Sequence, residues 1–148
     1  MKFILLILTF VLIPFAALAG DKVKATSFHS GDTQSWETGD GTGYWIWHGK
    51  GVAHSTEGPL GTYPIECHGS GFFDNEGSRS EGICVHGAGD DTITDHWKID
   101  KGEKVGQWKF LGGTGKYTGI KGEGTYTPTV LPAGRVMTEW EGEISLAK

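Results

Sequence analysis

Asp95 is a candidate for a chemical role, because it is a carboxylate within an otherwise apolar stripe. In an extended segment side chains alternate between two faces, so Asp95 shares a face with Ile93 and Trp97. A carboxylate among apolar groups is costly unless it is paired or protonated. The pattern favours Asp95 as a proton donor, proton acceptor or orienting contact inside a ligand cavity. The alternative is a structural hydrogen bond, or a strand end near solvent.

Glu66 and His68 form a second candidate pair. They stand two residues apart, so an extended strand places both side chains on one face, where they would be able to act as an acid/base pair. The alternative interpretation is a solvated outer face, on which the same two residues have no chemical role.

The six histidines raise the question of a metal site, which needs three or four nitrogen, sulfur or oxygen ligands that converge. No two of them have the His-x-His or His-x-x-x-His spacing typical of such sites. A serine hydrolase is also disfavoured, because the sequence has no Gly-x-Ser-x-Gly motif. The spacing therefore predicts neither a metal nor a cofactor.

The N-terminus reads as a secretory signal. Lys2 is followed by an apolar run over residues 3–13 and by Ala17, Leu18 and Ala19, which form a small-x-small cleavage site. A membrane span is the alternative, but the stretch is short of the roughly 20 residues that a span needs. We expect cleavage after Ala19, no stable membrane span after processing, and a secreted or periplasmic domain over residues 20–148.

Charge excludes one class of partner. The 13 basic residues are outnumbered by 18 acidic ones, which gives a formal net charge of −5, and the basic residues form no cluster. A phosphate backbone would be repelled by such a chain, so nucleic-acid binding is not expected.

The two cysteines, Cys67 and Cys84, flank a hairpin-turn signal over residues 73–78. A two- or four-residue loop centred between Asn75 and Glu76 places the cysteines directly opposite each other, whereas a three-residue loop with a Gly77 bulge turns them to opposite faces. In an oxidising compartment the first register predicts a disulfide, which contributes about 3 kcal/mol by loop closure. The alternatives are a metal thiolate pair and free thiols.

The rest of the chain has the pattern of an all-β protein. Glycine accounts for 25 of the 148 residues, and short alternating runs lie between glycine-bearing turns. Short links between antiparallel strands favour an up-and-down barrel, whose interior is either filled by side chains or holds one small ligand. The eight predicted strands cover residues 23–28, 43–54, 62–73, 79–86, 92–99, 105–111, 119–127 and 135–146.

The segment GGTGKYTGIKG at residues 112–122 resembles the glycine-rich motif of dirigent proteins and of allene oxide cyclase-like barrels. A Cys-x-Gly strand, a turn and a Gly-x-Cys strand upstream resemble small secreted bacterial members of unknown function, so the resemblance covers roughly residues 63–126. It implies an eight-stranded antiparallel barrel of calycin-like shape. Plant members bind hydrophobic molecules in the barrel and steer cyclisation or radical coupling, but none of their catalytic residues matches a position here.

Three functions compete on these grounds. The leading hypothesis is a small apolar molecule bound inside the barrel, in a cavity lined by Phe72, Trp97 and Asp95, with an isomerase- or cyclase-like role. The second is a non-catalytic carbohydrate- or protein-binding barrel that uses exposed aromatic side chains, because bulky residues occupy both faces of the strand around Trp45 and Trp47. The third is a packed structural barrel without a ligand. Enzymatic activity and oligomeric state stay open.

Overall fold

Alternating side chains and glycine-bearing turns give a chain made almost entirely of strands. The computed structural model describes residues 20–147, and the predicted signal peptide lies outside them. A short 3-10 turn, Gly115–Tyr117, separates β6 from β7. The strands are β1 Asp21–Glu37, β2 Gly43–Glu57, β3 Thr62–Asp74, β4 Gly77–Ala88, β5 Asp91–Ile99, β6 Gly106–Gly113, β7 Lys121–Leu131 and β8 Arg135–Ser145.

The eight strands form a closed barrel in which each strand pairs with its sequence neighbours and β1 pairs with β8. Every pairing is antiparallel. The predicted up-and-down barrel is therefore confirmed. Closure pairs the first strand with the last over residues 21–30 and so removes most of the exposed edge that an open sheet would have.

The cysteine hairpin has the register that the two-residue loop predicts. Asp74 pairs with Gly77 across the turn, so Asn75 and Glu76 alone form the loop. Cys67 then lies directly opposite Cys84, and the two form a disulfide. The predicted disulfide is confirmed.

β1 is much longer than predicted, because the sequence-based strand ends at residue 28 whereas the structure continues it to Glu37. Its pairing with β8 stops at Ser30, but its pairing with β2 continues to Glu37. The extension lacks an apolar alternation because its outer half is exposed. Ladder hydrogen bonds to β2, which sequence pattern does not reveal, hold it in place.

The two ends of the barrel differ. The starts of the odd strands and the ends of the even strands meet at one end, which we call the closed end. The glycine-rich segment brings Tyr117 and Ile120 into the core there, and its turns use positive φ at Gly115 and Gly119, 55° and 77°. The closed end is filled by the buried side chains of Val23, Ala53, Leu60, Ile93, Tyr117, Ile120 and Ile144.

No helix among residues 20–147 is both long and apolar enough to cross a bilayer.

Candidate functional site

The other end of the barrel, which we call the open end, contains a cavity of about 500 Å³. Its mouth includes exposed residues of β1, β7 and β8, namely Ser35, Val130 and Arg135. The volume lies within the range of small-molecule sites, roughly 300 to 1,000 Å³. The aromatic residues of its wall are Trp45, Trp47, Phe73, Trp97, Trp108, Phe110, Tyr126 and Trp140.

A histidine and a carboxylate meet within this wall. His86 of β4 lies two positions after the inward-facing Cys84, and Asp95 of β5 lies two positions after the inward-facing Ile93. Because strand side chains alternate, both also point inward. The two residues are buried, with only 4% of His86 and 6% of Asp95 exposed. The His86 Nε2 and Asp95 Oδ2 atoms share a hydrogen bond.

Aromatic rings enclose the pair. The His86 ring makes edge contacts with three rings, at centroid distances of 5.4 Å to Tyr63, 6.4 Å to Phe110 and 6.1 Å to Trp140. Such surroundings keep water away from the pair and strengthen its hydrogen bond, because the local dielectric is low. The pair is therefore rigidly positioned and poorly solvated.

Several polar atoms around the cavity have unused hydrogen-bonding capacity. Within residues 20–147, no protein group pairs with Asp95 Oδ1, His86 Nδ1, His29 Nδ1 or the Tyr126 hydroxyl. All four residues line the cavity. Buried polar atoms of this kind normally find a partner, so the wall offers both donors and acceptors to a ligand.

His29 adds a third buried imidazole. Its Nε2 atom lies 2.9 Å from Ser27 Oγ, and its ring packs edge-on against Trp47 at 5.7 Å. Burial, aided by the nearby His86, lowers the pKa of His29 to about 4 against the opposing pull of Asp95. His29 is therefore neutral near pH 7, with one ring nitrogen able to donate and the other able to accept.

The tyrosine hydroxyls near Asp95 stay protonated. Burial, together with the Asp95 charge, raises the pKa of Tyr63 and of Tyr126 well above the usual value. Tyr126 is consequently a hydrogen-bond donor at the cavity wall, and it packs edge-on against Trp97 at 6.1 Å.

The structure separates the residues singled out in the sequence. Asp95 and Trp97 line the cavity. The placement of Phe72 in the cavity is wrong: its side chain is 55% exposed on the outer face, and the neighbouring Phe73 lines the cavity instead. Alternation explains the difference, because adjacent residues of β3 point to opposite faces.

Glu66 and His68 also lie on the outer face of β3. Glu66 Oε1 is 3.4 Å from His68 Nε2, but it is closer to His48 Nε2 of β2, at 2.9 Å. Lys50 Nζ approaches the other carboxylate oxygen at 3.2 Å. The two residues are thus brought together, but away from the cavity.

The tryptophans divide in the same way. Trp45, Trp47, Trp97, Trp108 and Trp140 line the cavity, whereas Trp36 is 53% exposed. The inward rings do not fill the barrel, since the cavity remains between them.

His86 and His29 are the functional candidates that the sequence reasoning missed. The cysteine register puts His86 on the same face as Cys84, but its nearness to Asp95 depends on the pairing of β4 with β5. His29 lies one residue beyond the predicted end of the first strand. An alternation of small and polar inward residues in β1, such as Ala25, Ser27 and His29, was the available signal.

Comparisons with known proteins give a structural match. No protein-family model matches the chain, and no curated protein matches it by sequence. A solved structure, that of the pterocarpan synthase dirigent protein GePTS1, superposes with a TM-score of 0.54 over 96% of this chain and 98% of that chain, at 12% identity. The fold is that of a dirigent-like barrel. The glycine-rich motif predicted this fold. At 12% identity the similarity to GePTS1 supports the fold and nothing further.

Proposed function

We propose that this dirigent-like barrel binds one small, mostly apolar molecule in its open-end cavity and orients it through Asp95 and His86. The observation that carries the proposal is the buried His86–Asp95 hydrogen bond at the wall of a largely aromatic cavity of about 500 Å³. Apolar walls with a few well-placed polar groups are the usual composition of small-molecule sites.

The two residues would have different roles. With Asp95 ionised, the Nε2–H group of His86 donates to Asp95 Oδ2 and fixes the carboxylate. Asp95 Oδ1, which has no partner among residues 20–147, then accepts a hydrogen bond or a proton from the ligand. The tyrosine hydroxyl of Tyr126 is placed to donate to a ligand oxygen.

An isomerase- or cyclase-like reaction follows from the same arrangement. The aromatic wall would confine a flexible ligand to one conformation, and Asp95 would take up and return a proton in a poorly hydrated site. GePTS1, which has the same fold, is named a pterocarpan synthase, and this name supports a ligand-transforming role for the cavity.

A matched pair of variants tests the interior site. Thr138 lines the cavity, whereas Glu139, next to it on β8, is exposed. Hydrophobic metabolites would be screened by thermal shift, since a ligand that prefers the native state raises the unfolding midpoint. Thr138→Trp should abolish the shift caused by a hit, while Glu139→Trp should preserve it. Equal shifts in both variants would contradict the proposal.

A second candidate function uses the outer surface. Trp36 stacks on Tyr44 at 6.1 Å, Tyr44 contacts Phe72 at 5.0 Å, and the Arg79 guanidinium lies 5.4 Å from the Phe72 ring. Exposed rings of this kind stack on sugars. Midpoint shifts by oligosaccharides that disappear in Trp36→Ala, without any shift by apolar compounds, would favour this surface over the cavity.

We also propose export, with cleavage after Ala19. The disulfide supports it, because such bonds persist in oxidising compartments. Mass spectrometry of protein recovered from periplasm or medium should find a chain that begins at Gly20. A chain retaining Met1 in the cytoplasm would contradict export.

A further inference from the structure

The outer face of β2 and β3 brings three metal-ligating side chains together. His48 Nε2 and His68 Nε2 lie 2.9 Å and 3.4 Å from the same oxygen, Oε1 of Glu66. One ligand atom from each residue lies within 4.8 Å of the others. The cluster was not visible in the spacing along the sequence, because its members come from two strands.

The backbone fixes these side chains relative to one another. His48 and His68 are direct cross-strand partners, and their rings stack in parallel with centroids 4.4 Å apart and an interplanar angle of 7°. Glu66 shares their face because it is two residues before His68. Cys67, between them in sequence, points inward and is tied to Cys84.

Both anchoring effects favour a preformed site. Ligands that project from paired strands hold their geometry better than ligands on loops. The covalent tie at Cys67 limits sliding of β3 against β4 under the cluster. An incoming ion therefore has little chain to order.

The donor set indicates the kind of ion. Two imidazole nitrogens with one carboxylate oxygen suit Zn²⁺ or Cu²⁺, whereas Ca²⁺ and Mg²⁺ prefer all-oxygen sites. All three side chains are substantially exposed, so water has access to a further coordination position.

We propose that His48, Glu66 and His68 form a surface site for a divalent transition-metal ion of the zinc and copper type, separate from the ligand cavity. The site has three protein ligands and an open position for water or an outside group. Lys50, 3.2 Å from Glu66 Oε2, competes with the ion and moderates its affinity.

The test is calorimetric titration of Zn²⁺ into the purified protein without a histidine tag. One ion per chain should bind. His68→Ala should weaken binding by more than about tenfold, since even residues that only support metal ligands are worth 10- to 100-fold. Circular dichroism and the unfolding midpoint would show that the exposed substitution leaves the fold intact.

A matched histidine supplies the control. His54 is also exposed on β2, where its Nδ1 atom contacts Thr62 Oγ1 rather than the cluster. His54→Ala should bind Zn²⁺ as the parent protein does. Failure of the parent protein to bind Zn²⁺ at millimolar concentration, or equal weakening by His54→Ala and His68→Ala, would overturn the proposal.

Discussion

The barrel wall carries histidine and carboxylate groups on both faces, and the two groups differ mainly in their access to water. Inside, His86 and Asp95 are buried among aromatic rings. Outside, the side chains of His48, Glu66 and His68 are substantially exposed. The Glu66 carboxylate also contacts Lys50. The alternation of strand side chains thus places the same residue types in a buried environment on one face and in an exposed environment on the other.

The difference shows that residue identity alone does not assign a role. A buried pair loses its hydration, so each unused polar atom must find a partner in the protein or in a ligand. An exposed group exchanges its partners with water at little cost, and it is therefore free to exchange them for a metal ion. The inner pair is suited to selecting a ligand, and the outer cluster to reversible coordination.

The sharpest way to break this comparison is to remove one carboxylate from each face. Asp95→Ala leaves buried His86 unpaired, and breaking a buried pair costs about 3 to 5 kcal/mol. Glu66→Ala should leave the unfolding midpoint nearly unchanged, because its partners become hydrated. Urea denaturation of both variants measures the contrast. Equal losses of stability would show that burial does not distinguish the two groups.

Acid sensitivity should come from the inner face as pH falls below neutral. The folded state holds His29 near a pKa of about 4, whereas the unfolded state titrates near 6.5. The unfolded chain therefore binds more protons between these values, and stability should fall by about 3 kcal/mol as pH decreases from 6.5 to 4.

His29→Gln should flatten that part of the stability profile, while the exposed control His54→Gln should not. The pKa of Glu66 is also lowered, but this exposed group should cause only a small further loss of stability, at still lower pH, as pH falls through its folded pKa. Urea midpoints at several pH values measure the effect. An identical slope in His29→Gln and the parent protein would refute this assignment.

Ligand affinity sharpens the comparison from the inner side. Asp95→Asn preserves shape but replaces an accepting oxygen or alters the hydrogen bond with His86. For a hit from the thermal-shift screen that carries a hydroxyl group, we expect about a tenfold loss of affinity, since a charged hydrogen bond contributes about 1.5 kcal/mol or more. Glu66→Gln, the outer counterpart, should bind the hit unchanged. Fluorescence titration would report both.

Lys50 gives the smallest expected effect, on the outer side. Lys50→Met removes a positive charge beside Glu66, so Zn²⁺ binding should tighten by a few-fold at low salt. The gain should shrink as ionic strength rises. Weaker binding in this variant would mean that Lys50 supports the cluster rather than competes with the ion.

Much of the fold was readable from residues. The turn residues Asn75 and Glu76, together with a disulfide between Cys67 and Cys84, predicted the register of one hairpin. That register separated Glu66 from Cys67 onto opposite faces but did not say which face is inside, and Phe72, on the Glu66 face, was wrongly assigned to the cavity. From one register the alternation of β3 and β4 followed. The far half of β1 escaped prediction because its residues are mostly polar and exposed, so no apolar alternation marks it as a strand. Its partner, the start of β2, is close in sequence, but the pairing itself leaves no periodic signal.

Only some residues of the candidate sites could be predicted from the sequence. Asp95 was detectable as a polar break in an apolar strand, since that signal is local. The hydrogen bond with His86, and the meeting of His48 with His68, depend on the registers of β4 with β5 and of β2 with β3. Such relations between strands leave no mark on the spacing within either strand.

The Cys67–Cys84 bond lies in the wall between the two groups, because Cys84 lines the cavity and Cys67 stands between Glu66 and His68 in sequence. Reducing this disulfide removes the covalent link between β3 and β4, which supports both the cavity wall and the outer cluster. Protein produced in a reducing cytosol would therefore begin with both its pocket and its histidine cluster loosened, and re-oxidation would restore the two together.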